Sequence, residues 1–164
     1  MTPAFASTVA ALISVWPKVA ADGVDGPALT REHLAGRPAI VQFWASWCTS
    51  CESVTREVEA ALDAAPVSVR YVAVSLDETK DAARAAVVAG RFRGLPHVPE
   101  VAFDADRKLA GALGETAVPT VLVVGADGTI LARLKGHFEA AQRAELKARL
   151  RTLAAATPPD QTSK

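Results

Sequence analysis

An almost wholly apolar run, "PAIVQFWA" from Pro38 to Ala45, leads within three residues into the only two cysteines of the chain, Cys48 and Cys51. A run of that length reads as a strand buried on both faces, as in the middle of a sheet covered on either side. Directly behind it, "CESVTREVEAALDAA" sets Val54, Val58, Ala61 and Leu62 at helical spacing, with Pro66 beyond the end. A buried strand that turns through two cysteines into an amphipathic helix leaves few folds open.

The remaining elements narrow them further. "VSVRYVAVS" (67–75) reads as a second buried strand, and "DETKDAARAAVVAG" (77–90) as a helix closed by glycine. A loop punctuated by Gly94, Pro96 and Pro99 follows, then a short strand "VAFD" and a short helix "DRKLAGALG". "TVLVVGADGTILARLKG" predicts two strands joined at Ala126, Asp127 and Gly128. A final helix carries Phe138, Ala141, Leu146, Leu150 and Leu153 near one face, and the polar, proline-rich end is expected to fray. Strands alternating with helices predict an α/β fold, a sheet with helices on both faces. The expected divisions are an N-terminal helical or extended segment over 1–27 that packs on or leads into the domain, one domain over 28–155, and a flexible tail over 156–164.

Composition excludes several roles. Eighteen basic and eighteen acidic residues balance to a net charge of zero without a basic cluster, so a nucleic-acid partner is not expected. Apolar residues make up 50% of the chain, enough for a core without disulfide staples. No apolar run reaches the roughly 18 residues of a membrane span. The start, "MTPAFASTVAALISVWP", lacks a positive residue ahead of its apolar stretch, as a complete signal peptide would have. It reads as an amphipathic helix of the domain, with "AFA" at Ala4 to Ala6 the one feature resembling a cleavage site.

Three readings compete for the cysteines. A zinc site would need two further soft ligands, and His33, His97 and His137 show no metal-ligand spacing, so no metal is expected. A structural bridge across so short a loop would stabilise little. A redox pair fits the position. At a helix start, unpaired N–H groups and the helix dipole stabilise a Cys48 thiolate, and Cys51 lies one turn further in, within bridging distance. Thr49 and Ser50 between them shape the local dipoles.

These residues, together with "AVPT" (Ala117 to Thr120), "TVLVVGADGTI" and Gly136, resemble the thioredoxin fold, and more narrowly the TlpA/ResA-like branch of thiol-disulfide oxidoreductases. "AFDADRKLAGALG" resembles that branch's inserted segment. The resemblance covers about residues 28–153. It implies a cis Pro119 against the disulfide, and Val118 offering backbone hydrogen bonds to a substrate chain. Trp47 is expected to cover the disulfide, and Trp44 to lie in the core. The resemblance also implies protein thiol or disulfide substrates, re-reduction by a membrane electron donor, a location outside the cytoplasm, and no cofactor beyond the cysteine pair. A monomer is expected.

The departures matter as much. Thioredoxins carry a buried aspartate six residues before the first cysteine, where this chain has Gln42. The branch usually has a glutamate three residues after the second cysteine and a proline before it; here these are Val54 and Ser50. Glu52 remains as the nearby acid, and "TSCE" matches a capping box in which Thr49 caps the helix and Glu52 reaches back. Gln42, Thr49, Ser50 and Glu52 are thus the candidates for tuning the cysteine pKa values. The expected function is a thiol-disulfide oxidoreductase acting as a reductase, of the cytochrome c maturation type or a general extracytoplasmic one. A disulfide oxidase or isomerase is the alternative, and a redox-inert binding module on the same fold is another. A peroxidase fits less well, since the expected threonine three residues before the first cysteine is Ala45.

Overall fold

The structure is a computed structural model and describes residues 15–115 and 117–156. Its elements in chain order are β1 (Asp22–Gly23), α1 (Arg31–Leu34), β2 (Ala39–Trp44), α2 (Ser50–Asp63), β3 (Arg70–Ser75), α3 (Lys80–Ala89), β4 (Glu100–Phe103), α4 (Lys108–Leu113), β5 (Thr120–Val124), β6 (Ile130–Lys135) and α5 (Ala140–Ala156). The strands form one six-stranded sheet in the order β1-β4-β3-β2-β5-β6. β2 pairs in parallel with β3, and β3 with β4, whereas β5 runs antiparallel to β2 and β6 to β5.

Central position explains the composition of β2. All six of its residues are buried, and alternate side chains feed opposite faces. Ile40 packs with Val54, Val58 and Leu62 of α2 and with Leu146 and Leu150 of α5. Val41 and Phe43 join Leu34 of α1 and Leu109 and Leu113 of α4 on the other face. Helices therefore cover both faces, as the alternation of elements predicts.

Several boundaries differ from the sequence reading. β3 begins at Arg70 rather than Val67. α3 begins at Lys80, where the hydroxyl of Thr79 accepts from the Ala82 N–H, and ends at Gly90 with φ +109°. Phe138 is buried just ahead of α5, and Ala141 is exposed rather than facing the core. β1 and α1 are too short to carry a periodic pattern, and the sequence reading missed them. Ahead of α4, a 3₁₀ turn over Ala105–Arg107 leads in, and the buried Asp104 carboxylate accepts from the N–H groups of Leu109 and Ala110, both at 2.8 Å.

The described residues ahead of α1, 15–30, are tied to the sheet. Trp16 is fully buried, its N–H donates to the Gly128 carbonyl at 2.8 Å, and its own carbonyl accepts from Arg31. Val24 donates to Val101 at 2.9 Å. The expected helix over the first residues and the expected tail lie almost wholly outside the described residues.

Candidate redox site

The site forms where β2 ends and α2 begins. Cys48 and Cys51 are joined by a disulfide with their Cα atoms 5.4 Å apart. Cys51, in the first turn of α2, is 1% exposed and Cys48 is 5% exposed, so Cys48 holds the outer position. The Val118–Pro119 peptide is cis, and Val118 packs against the cluster of buried side chains that contains both cysteines. Trp47, immediately before the bridge, is 62% exposed, while Trp44 is buried edge-on against Phe92 with ring centroids 5.1 Å apart.

The structure corrects the capping box. Thr49 sits at the N-cap position of α2 with helical backbone angles and no side-chain cap bond, and Glu52 does not reach back to it. A residue already in the helical region turns its hydroxyl away from the N–H groups it would have to cap. Glu52 instead lies with its Oε1 3.8 Å from the Nε of Arg91. Ser50 brings its hydroxyl within 3.6 Å of the Cys48 sulfur. Of the tuning candidates, then, Ser50 reaches a cysteine sulfur, Thr49 caps nothing, and Gln42 serves Cys51 from below.

Gln42 is fully buried and fully used. Its Nε2 donates to the Cys51 carbonyl at 3.2 Å and to the Thr55 hydroxyl at 3.1 Å, and its Oε1 accepts from the Tyr71 hydroxyl at 2.5 Å. The Thr55 hydroxyl donates back to the Cys51 carbonyl at 2.9 Å. Burial pushes the Tyr71 hydroxyl well above its ordinary pKa, so it remains a donor. The floor of the site is thus a neutral, satisfied network.

Two charged residues that sequence reasoning missed fix the turn itself. The Asp77 carboxylate accepts from the Ser46 N–H at 3.1 Å, from the Ser46 hydroxyl at 2.6 Å and from the Ser75 hydroxyl at 2.6 Å. From the other side, Arg91 donates to the Ser46 carbonyl at 2.6 Å and to the Cys48 carbonyl at 3.3 Å, with its guanidinium 5.3 Å from the centre of the Trp44 ring. Asp77 follows a buried strand and Arg91 follows a helix-closing glycine; neither position carries a local signal of function. Among the described residues no three His, Cys, Asp or Glu side chains are grouped as they would be to hold a metal ion.

Comparison with known proteins decides the family. The model of a family described as a thioredoxin-like domain matches residues 28–153. The chain belongs to the thioredoxin-like domain family. Its fold is the thioredoxin fold, and the resemblance to the ResA-like branch holds among its relatives. Over 117 residues it is 31% identical to the thiol:disulfide interchange protein DsbE of Allochromatium vinosum, an alignment covering 71% of this chain and 61% of that protein. It is 26% identical to the thiol-disulfide oxidoreductase ResA of Bacillus anthracis over 125 residues, covering 74% of this chain and 68% of that protein. The chain thus spans about three fifths to two thirds of the length of these relatives. Among solved structures, MTB DsbF, seen in mixed oxidised and reduced forms, is 26% identical with a TM-score of 0.64, covering 83% of this chain and 95% of that one. No helix among the described residues is long and apolar enough to cross a membrane.

Proposed function

We propose that this chain is a thiol-disulfide oxidoreductase that reduces disulfides in protein substrates, outside the cytoplasm and as a monomer. The observation that carries the reading is the Cys48–Cys51 bridge at the start of α2, with its less buried sulfur beside the exposed Trp47 and the Val118–Pro119 segment packed on the same cluster. The relatives named for disulfide interchange support it.

In the reduced protein, the Cys48 thiolate attacks one sulfur of a substrate disulfide. A Cys48–substrate bond forms and the other substrate sulfur leaves as thiolate. Cys51 then gives up its proton and attacks Cys48, releasing the second substrate sulfur and closing the bridge. Two electrons pass to the substrate, and solvent supplies the protons that complete its two thiols. A dithiol donor, in this reading membrane-borne, reopens the bridge. The redox equivalents are carried by the cysteines alone, with no bound cofactor. Trp47 and the backbone of Val118 receive the substrate chain, with Pro119 holding that segment in place.

One observation favours the opposite direction. The Arg91 guanidinium donates to the Cys48 carbonyl, and a cation beside a cysteine favours its thiolate, hence the dithiol form and a more oxidising couple. The Cys51→Ser variant tests the mechanism: it should accumulate mixed disulfides through Cys48, and a variant that traps no substrate sinks the proposal. The reduction potential against thiol buffers then gives direction, with a value near or below about −250 mV supporting a reductase and one near −120 to −180 mV an oxidant or isomerase.

A further inference from the structure

The Arg91 side chain is only 10% exposed, yet it carries a permanent charge and lies directly behind the turn that presents Cys48. Its fork spans two carbonyls, Ser46 at 2.6 Å and Cys48 at 3.3 Å, and its central carbon lies over the Trp44 ring, 5.3 Å from the centroid. Resting on the oxidoreductase reading above, we propose that Arg91 is a positioning residue that fixes the 46–48 turn and stabilises the Cys48 thiolate, and that Glu52 is the counter-charge limiting its effect.

The charges around this turn can be followed one by one. Asp77, just beyond β3, directs its carboxylate at hydrogens of Ser46 and Ser75. Glu52, on α2, is 57% exposed and keeps one oxygen 3.8 Å from Arg91. Arg91 is a cation hydrogen-bonded to the backbone carbonyl of Cys48, and its partly desolvated setting strengthens its field beyond what the same charge would exert in water. The Ser50 hydroxyl, 3.6 Å from the Cys48 sulfur, adds a neutral donor beside it. Removing Arg91 takes away a cation hydrogen-bonded to the Cys48 carbonyl and leaves the Glu52 carboxylate without it, so the thiol form gains and the dithiol state as a whole loses ground to the disulfide. A purely mechanical clamp would show a different pattern, because lysine keeps the charge but not the fork.

The test follows thiolate ultraviolet absorbance against pH in the reduced protein, together with equilibration against thiol buffers, for the full chain and three variants. Arg91→Met is expected to raise the Cys48 pKa by about one pH unit. It should also shift the exchange equilibrium up to about tenfold toward the disulfide, or ~30 mV more reducing. Arg91→Lys should keep most of the wild-type pKa. Glu52→Gln, at an exposed position that tolerates change, should lower it by a smaller amount. An unchanged pKa in Arg91→Met, or equal shifts in the methionine and lysine variants, overturns the proposal. If Arg91→Met fails to fold, an unchanged or raised pKa in Glu52→Gln overturns it instead. A wild-type pair that never equilibrates with the thiol buffers refutes the oxidoreductase reading itself, and the proposal falls with it.

Discussion

The side-chain amide of Gln42 donates to the backbone carbonyl of Cys51 at 3.2 Å, from a position 0% exposed beneath the disulfide. Where thioredoxins place an acid, this chain places a neutral amide whose other bonds run to Thr55 and Tyr71. The floor of the site therefore supplies rigidity rather than a proton acceptor. Gln42→Leu keeps the volume but strips a partner from the Tyr71 hydroxyl, the Thr55 hydroxyl and the Cys51 carbonyl. The expected cost is about 2–4 kcal/mol, read as a lower midpoint of urea unfolding with an unchanged slope. A loss under about 0.5 kcal/mol would show that the network does not hold the floor together.

Glu59 is a buried carboxyl that the proposed chemistry leaves unused. One oxygen accepts from the His97 N–H at 3.1 Å, and the other has no partner among the described residues. Its pKa is raised, chiefly because burial disfavours the charge, against the lowering effects of the His97 N–H and charge; Asp63 adds to the rise. The folded state thus holds this proton more tightly than the unfolded chain. Between the ordinary glutamate pKa and the raised one, the folded state binds more protons, so this residue's contribution to stability falls as pH rises and stays low above. Glu59→Gln should remove that fall and gain about 1 kcal/mol at pH 7, roughly 2–4 °C in melting temperature. Melting curves of both proteins at a series of pH values check it: a difference that does not grow as pH rises from 4 contradicts the assignment.

Trp16 lies outside the span matched by the family, yet it is 0% exposed and its carbonyl is gripped by Arg31. Trp16→Ala should cost about 3–5 kcal/mol through the lost burial and the cavity it leaves. Trp16→Phe should cost clearly less, since it also removes an indole N–H that has no partner among the described residues. Thermal unfolding of the two variants ranks them, and an alanine variant as stable as the wild type would mean that this segment does not contribute to the core.

Much of this was legible in sequence because it is written locally. The continuous apolar run of β2 announces a strand covered on both faces, and the spacing of Val54, Val58 and Leu62 announces the face α2 turns to it. Gly90 marks its helix end because its φ of +109° suits glycine. The capping box failed for an equally local reason. The pattern at Thr49 and Glu52 assumes an extended N-cap, and the tight turn from Cys48 puts Thr49 in the helical region instead. Glu52 then found a partner that no local pattern could name.

The sequence by itself determined the order of elements, the buried strands and the placing of a cysteine pair at a helix start, because strand and helix periodicities are properties of neighbouring residues. Tertiary structure alone decided what surrounds that pair. Arg91 reaches Ser46 across 45 residues, Asp77 reaches it across 31, and Tyr71 reaches Gln42 across 29. Such contacts exist only once β2 and β3 lie side by side and the loop after α3 folds back over their ends. The charges and donors that govern the sulfur atoms are therefore products of the fold, brought together by packing from parts of the chain that share no local signal.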